Sequence, residues 1–203
     1  GKAIELGVKA SLFDDKALLS MAAFDIEQQH LAVFDKTVTD PVHGLYQAYR
    51  SADGINSKGL ELELGGSLTE LLQLSGSFTS IKIEGDDLVK GYTPERVAKV
   101  AAVYQLTQFP GARVGMNYRW QSAISRQQGQ VAAVYSNAGQ AIVTKQSSYG
   151  VLGLMASYDI NAQWQVQLNA NNVTDETYLN SLYWAQAYYG APTNYNLSVS
   201  YQF

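Results

Sequence analysis

The C-terminal stretch Asn194-Tyr195-Asn196-Leu197-Ser198-Val199-Ser200-Tyr201-Gln202-Phe203 alternates polar and apolar residues without a break. Successive side chains on an extended strand point to opposite faces. Tyr195, Leu197, Val199, Tyr201 and Phe203 therefore share one face, and the Asn, Ser and Gln residues share the other. The same period recurs backward along the chain. Trp164, Val166, Leu168 and Ala170 alternate with Gln and Asn; Val114, Met116, Tyr118 and Trp120 alternate with Arg113, Asn117 and Arg119. Leu152, Leu154, Ala156 and Tyr158 form a less pure set. Leu60, Leu62, Leu64 and Leu68 alternate with Glu61 and Glu63, and Ile4, Leu6, Val8, Ala10 and Leu12 alternate with Glu5 and Lys9. Noisier runs occupy 17–27, 72–84 and 96–106. The pattern predicts about nine strands of about ten residues each and no amphipathic helix.

The connections carry a second signal. Short polar links follow Phe13, Ser67, Leu106 and Asp159, whereas long links occupy 28–54, 85–95, 123–148 and 174–193. Short and long alternate strictly. An antiparallel up-and-down meander gives this rhythm when one end carries tight turns and the other carries functional loops, as in outer-membrane barrels. Periodicity alone leaves open whether the apolar face meets a protein core or lipid. Strand length favours lipid, since about ten residues match a tilted bilayer crossing and soluble strands average about five or six. Aromatic placement agrees. Tyr104, Tyr158, Trp164, Tyr201 and Phe203 lie near the short-turn end, and Tyr118, Trp120 and Tyr195 towards the other, as two interfacial girdles would.

Composition narrows the function. Charged residues are 16% of the 203, against about 25% in ordinary soluble domains. There are 14 Tyr and no Cys, and the formal net charge is −4. A thiol nucleophile, a thiolate metal site and a disulfide scaffold are excluded. The acidic balance argues against nucleic acid as a partner. No Gly-rich phosphate loop or Gly-x-Ser-x-Gly elbow occurs, so no catalytic residue is nominated and the chain is read as a non-enzyme. His30 and His43 are isolated, and the pairs Asp14-Asp15 and Asp86-Asp87 read as solvated turn and loop residues, so no metal site is expected.

Several motifs together carry a family resemblance across the whole chain. Asn171-Asn172-Val173-Thr174-Asp175-Glu176-Thr177-Tyr178 resembles the penultimate-strand motif of TonB-dependent outer-membrane receptors, with Thr174 where Phe is common. Tyr189-Gly190-Ala191-Pro192-Thr193-Asn194 resembles the segment entering their last strand, with Thr193 where Arg is usual. Glu5-Leu6-Gly7-Val8-Lys9 and Ser57-Lys58-Gly59-Leu60-Glu61-Leu62-Glu63 look like strand starts of the same family, and Tyr92-Thr93-Pro94-Glu95 like a strand entry. The nearest resemblance is to the ferric-siderophore receptors of the hydroxamate and pyoverdine branch.

That resemblance implies an all-β, multi-pass transmembrane barrel in the bacterial outer membrane. Residues 1–203 would supply about the last nine strands of a barrel of about 22, without the plug, the TonB box or the N-terminal strands. It further implies transport of a ferric siderophore energised by TonB through the plug, with the fragment unable to transport alone. No protein cofactor is implied, because iron arrives as the chelate. Outer-membrane lipid and lipopolysaccharide would surround the wall. Tyr201 and Phe203 look like the C-terminal signal read by the barrel-assembly machinery. Siderophore contacts would come from aromatic residues of the long links: Trp184 and Tyr183 with Tyr188 and Tyr189 in the last, Tyr135 in the third, Tyr46 and Tyr49 in the first. The competing readings are a complete small outer-membrane barrel acting as pore or adhesin, and a soluble β-barrel carrier.

Overall fold

The computed structural model describes residues 1–203 apart from positions 43, 53, 86–92 and 183–186. Among the described residues, strands β1 (Lys2–Leu12), β2 (Ala17–Gln28), β5 (Ile55–Ser67), β6 (Leu72–Glu84), β7 (Arg96–Gln105), β8 (Ala112–Gln121), β11 (Tyr149–Asp159), β12 (Trp164–Asn171) and β15 (Asn194–Tyr201) form one nine-stranded sheet in that order. Every neighbouring pair is antiparallel. Strand number, order and direction are those the alternation predicts. The order leaves β1 and β15 each with one unpaired edge.

The tight turns are set by local side-chain chemistry. Asn161 Oδ1 accepts from the backbone N–H groups of Gln163 and Trp164, each at 2.9 Å. Thr69 Oγ1 accepts from those of Leu71 and Leu72 at 3.2 and 3.0 Å. Such caps satisfy the donors that a reversal leaves unpaired. Leu68, grouped with the leucines of β5 by its spacing, lies in this turn instead.

Three of the long links contain secondary structure of their own, which their sequence did not announce. Between β2 and β5 lies the hairpin β3 (Leu31–Asp40) with β4 (Gly44–Ala52). Between β8 and β11 lies β9 (Ile124–Gln130) with β10 (Ala141–Gln146). Between β12 and β15 lies the short pair β13 (Leu179–Ser181) with β14 (Tyr188–Tyr189). Strand direction puts all three at the end of the sheet opposite the tight turns.

The register lines apolar residues up across strands. Val8 faces Met21, Met21 faces Leu62, and Leu62 faces Phe78. Met116 faces Leu154, Leu154 faces Ala170, and Ala170 faces Tyr195. Nothing among the described residues covers this face: Leu6 is 78% exposed, Tyr195 71% and Leu197 67%. A soluble sandwich or carrier would bury these residues, so the bare face belongs against hydrocarbon. Among the described residues it carries no Asp, Glu, Lys or Arg between Leu19 and Ala23, Leu60 and Leu64, or Ala98 and Tyr104. Charges return on it toward the hairpin end, at Asp25, Lys58, Lys82 and Arg96, where Lys58 lies 3.2 Å from the Asp25 carboxylate. An uncharged band closed by a charged belt is the profile of a bilayer crossing, about 25 Å tall for such barrels.

Aromatic rings mark the other border of the band. Trp164 and Tyr201, opposite each other in register, have ring centroids 4.7 Å apart, and Tyr201 meets Phe203 edge-on at 4.9 Å. On the polar face, Arg113 reaches both oxygens of Asp159 at 2.7 and 2.9 Å, and Gln165 donates to the same carboxylate at 2.8 Å.

Candidate functional site

The wall supplies a rigid frame, and the hairpin end supplies exposed aromatic surface. On β4, Tyr46 and Tyr49 are exposed; Tyr49 stands edge-on to Phe34 at 6.2 Å and donates to Gln47 at 2.9 Å. Tyr135 is exposed in the turn between β9 and β10, where its N–H donates to the carbonyl of Ala132. Tyr188 and Tyr189 are exposed on β14. These five candidates thus sit on three hairpins at one end, and none of the ring contacts among the described residues pairs two of them. Tyr183 and Trp184 lie outside the described residues, as do His43, Asp86, Asp87 and Tyr92.

The most densely packed part of this end was not singled out by sequence. Ile55 and Ala17 apart, the buried apolar residues among those described are Ile124, Tyr149, Tyr178 and Leu182. All four belong to the hairpin end, between the start of β9 and the segment after β12. Tyr149 and Tyr178 stack with centroids 4.3 Å apart and planes 21° off parallel. The Arg119 guanidinium lies 5.9 Å from the Tyr149 ring and 5.7 Å from the Tyr178 ring, within the range at which a cation is drawn to an aromatic face. The Tyr149 hydroxyl donates to Gln121 at 3.0 Å.

Hydrogen bonds tie the same segment to the β9–β10 hairpin. Arg126 donates to the carbonyl of Leu182 at 3.2 Å, and the Leu179 N–H donates to Gln146 Oε1 at 2.7 Å. Leu182 itself is 1% exposed. Gly190 closes the cluster. Its N–H donates to the Tyr178 carbonyl at 2.8 Å, and a Cβ there would fall 2.0 Å from the Tyr178 ring. Only glycine fits beneath that ring.

A second structure, centred on Asn172, fixes both ends of the last long link. Asn172 is 2% exposed. Its Nδ2 donates to the carbonyls of Glu176 at 2.9 Å and Ala191 at 3.0 Å, and its Oδ1 accepts from the Glu176 N–H at 2.9 Å. Thr193 Oγ1 donates to the Asn172 carbonyl at 2.6 Å. Asn172 and Asp175 have φ of 50° and 51°, a left-handed conformation that Asn and Asp tolerate better than most residues. The two motifs read as family marks in the sequence are therefore two halves of one hydrogen-bonded knot.

The charges on the polar face divide in role. Arg113 is held by Asp159 in a wall-to-wall pair, while Arg119 is turned to the tyrosine stack. No group of three His, Cys, Asp or Glu side chains among the described residues converges on a possible metal position. His30 lies 3.5 Å from the Ser51 hydroxyl in the β3–β4 hairpin. The chemistry on offer is aromatic surface, amides and hydroxyls, suited to holding a large, preformed ligand by stacking and hydrogen bonding.

Comparison with known proteins agrees with this architecture. The family model described as "TonB dependent receptor-like, beta-barrel" matches residues 1–173. The ferric-pyoverdine BN7/BN8 receptor of Pseudomonas putida is 31% identical over 100% of this chain and 23% of its own length. The ferrioxamine B receptor of Salmonella typhimurium is 29% identical over 100% of the chain and 28% of its own length. The crystal structure of the ferripyoverdine receptor of the outer membrane of Pseudomonas aeruginosa, bound to ferripyoverdine, superposes with a TM-score of 0.86 at 25% identity, covering 99% of this chain and 27% of that one. The chain spans about a quarter of the length of the curated relatives it matches.

Proposed function

The chain belongs to the TonB-dependent receptor-like β-barrel family, and from that premise we propose that it forms wall and outer loops of an outer-membrane receptor for a ferric siderophore of the pyoverdine or hydroxamate class. The family is one of transport receptors, not enzymes. One observation carries the reading: a bare apolar face with an uncharged band backs a polar face, and exposed tyrosines stand on the three hairpins at one end.

The nine strands do not close on themselves. Unpaired strand edges are not stable in hydrocarbon, where every backbone donor and acceptor needs a partner. Further strands must therefore complete the wall, which favours a large barrel over a complete small pore or adhesin. In the working receptor the hairpins bind the chelate from outside. Energy then reaches a lumen-filling plug through TonB, and the iron travels as cargo already coordinated by its siderophore. The apolar band contacts outer-membrane lipid and lipopolysaccharide, and Tyr201 and Phe203 serve the barrel-assembly machinery.

The test is iron uptake. The receptor carrying this chain is expressed in an iron-limited strain lacking its own ferripyoverdine and ferrioxamine receptors, with and without TonB. Radiolabelled iron supplied as ferric pyoverdine or ferrioxamine B should enter only when both the receptor and TonB are present. Uptake that is absent with each chelate, or unchanged without TonB, overturns the proposal.

A further inference from the structure

The wall exposes its apolar residues, yet at the hairpin end the same chain buries Tyr149, Tyr178, Leu182 and Ile124. These residues come from three places: the start of β9, the start of β11, and the segment between β12 and β14. Tyr149 belongs to the wall, and its register partner is Gln121 of β8, which also accepts its hydroxyl hydrogen bond. Tyr178 belongs to the last long link and lies flat on Tyr149. Arg126 and Gln146 belong to the β9–β10 hairpin and grip the backbone at Leu182 and Leu179. Gly190 follows the exposed Tyr188 and Tyr189 directly and packs under the Tyr178 ring. The stack thus joins the wall to the arm that carries the exposed tyrosines, and the two hydrogen bonds join that arm to the β9–β10 hairpin.

We propose that the Tyr149–Tyr178 stack, flanked by Arg119 and closed by Gly190, is a latch that positions the last outer arm against the β9–β10 hairpin, so that both meet the ligand as one preformed surface. Tyr178 and Gly190 are positioning residues in this scheme, not ligand contacts. This rests on the siderophore-receptor reading, since the ligand is the one proposed there. The geometry gives the latch two independent handles. Truncating Tyr178 removes the ring that spans wall and arm. Adding a side chain at Gly190 places atoms where that ring now lies, and leaves Tyr178 itself intact. A binding surface that is formed only part of the time lowers apparent affinity in proportion to the fraction formed. A latch open in about nine molecules of ten would weaken binding about tenfold.

The experiment uses the intact receptor in detergent micelles, with ferric pyoverdine as probe and tryptophan fluorescence as readout. Tyr178→Ala and Gly190→Val should each weaken binding about tenfold or more. Tyr178→Phe keeps the ring and should restore affinity, which loss of a hydroxyl contact to the ligand would not allow. Heat-modified mobility on gels confirms that each variant holds a folded barrel. Hydrogen exchange supplies the second readout: the Leu179 and Gly190 amides, and amides of the β9–β10 hairpin, should exchange faster together in the two weakened variants. Unchanged affinity in folded Tyr178→Ala and Gly190→Val overturns the latch. Failure of the wild-type receptor to bind any ferric pyoverdine overturns the siderophore reading instead. In that case the exchange data alone decide the latch, which fails if the arm loosens and the β9–β10 hairpin does not.

Discussion

Replacing Asn172 by Ala should destabilise the last long link more than any other single truncation of a polar side chain in it. The side chain is 2% exposed and makes three hydrogen bonds, to the Glu176 N–H, the Glu176 carbonyl and the Ala191 carbonyl. Each such bond contributes about 1 kcal/mol net, and a stranded buried donor costs about 1–3 kcal/mol. The φ of 50° adds about 1 kcal/mol against Ala, which is poorly suited to the left-handed region. The three bonds, the stranded Glu176 donor and the backbone term sum to about 5–7 kcal/mol. Asn172→Gly should recover about 1 kcal/mol of it, because glycine accepts the conformation and still lacks the bonds. Asn172→Asp keeps the acceptor for Glu176 N–H but turns a second oxygen toward two carbonyls, so it should be no better than Ala. The assay is hydrogen exchange at the Glu176 amide together with urea unfolding of the receptor in micelles. The exchange gives the local cost even where the barrel unfolds separately. Loss of less than about 1 kcal/mol on both measures, or equal effects of Ala and Gly, would refute this account of the knot.

Two further outcomes test the assignment of faces. Leu62→Arg places a charge in the middle of the apolar band, between Met21 and Phe78, and should cost about 2–4 kcal/mol of folding into lipid vesicles. Ser77→Arg on the polar face, opposite Glu63 in register, should change the same folding equilibrium by about 0.5 kcal/mol or less. Trp120 and Trp164 lie on the apolar face. Brominated lipids should quench each of them when it is the receptor's single remaining Trp, and iodide should not; the opposite pattern would place that face in water.

The strands were legible because their signal is local. A period of two can be read from any ten residues, and one face without charge is visible in the letters of β12 and β15. The alternation of tight and long links added the direction of each strand, and hence which end carries loops. The hairpins inside the long links were not legible. Leu31–Asp40 and Gly44–Ala52 pair with each other across a register shift between Phe34 and Lys36, which breaks the period that a reader would follow. Leu179–Ser181 is too short to show a period at all.

The knot and the stack were hidden for another reason: their partners are distant in sequence and their residue types are common. Asn172 and Gly190 belong to recognisable motifs, yet nothing in either motif says that Asn172 holds the Ala191 carbonyl or that Gly190 sits under Tyr178. Tyr178 has no local signal of its own, whereas aromatic residues crowd the sequence over 183–189. The physical division is that lipid stabilises the wall from outside, with no core required, whereas the arms stand in water beyond it. They must be held by protein contacts alone, and an arm with few apolar residues gains most by packing aromatic rings against the one fixed element nearby. That is the place of Tyr149 at the rim of the wall, and it makes the rim, rather than the tips of the loops, the point where substitution should most change the loops' shape.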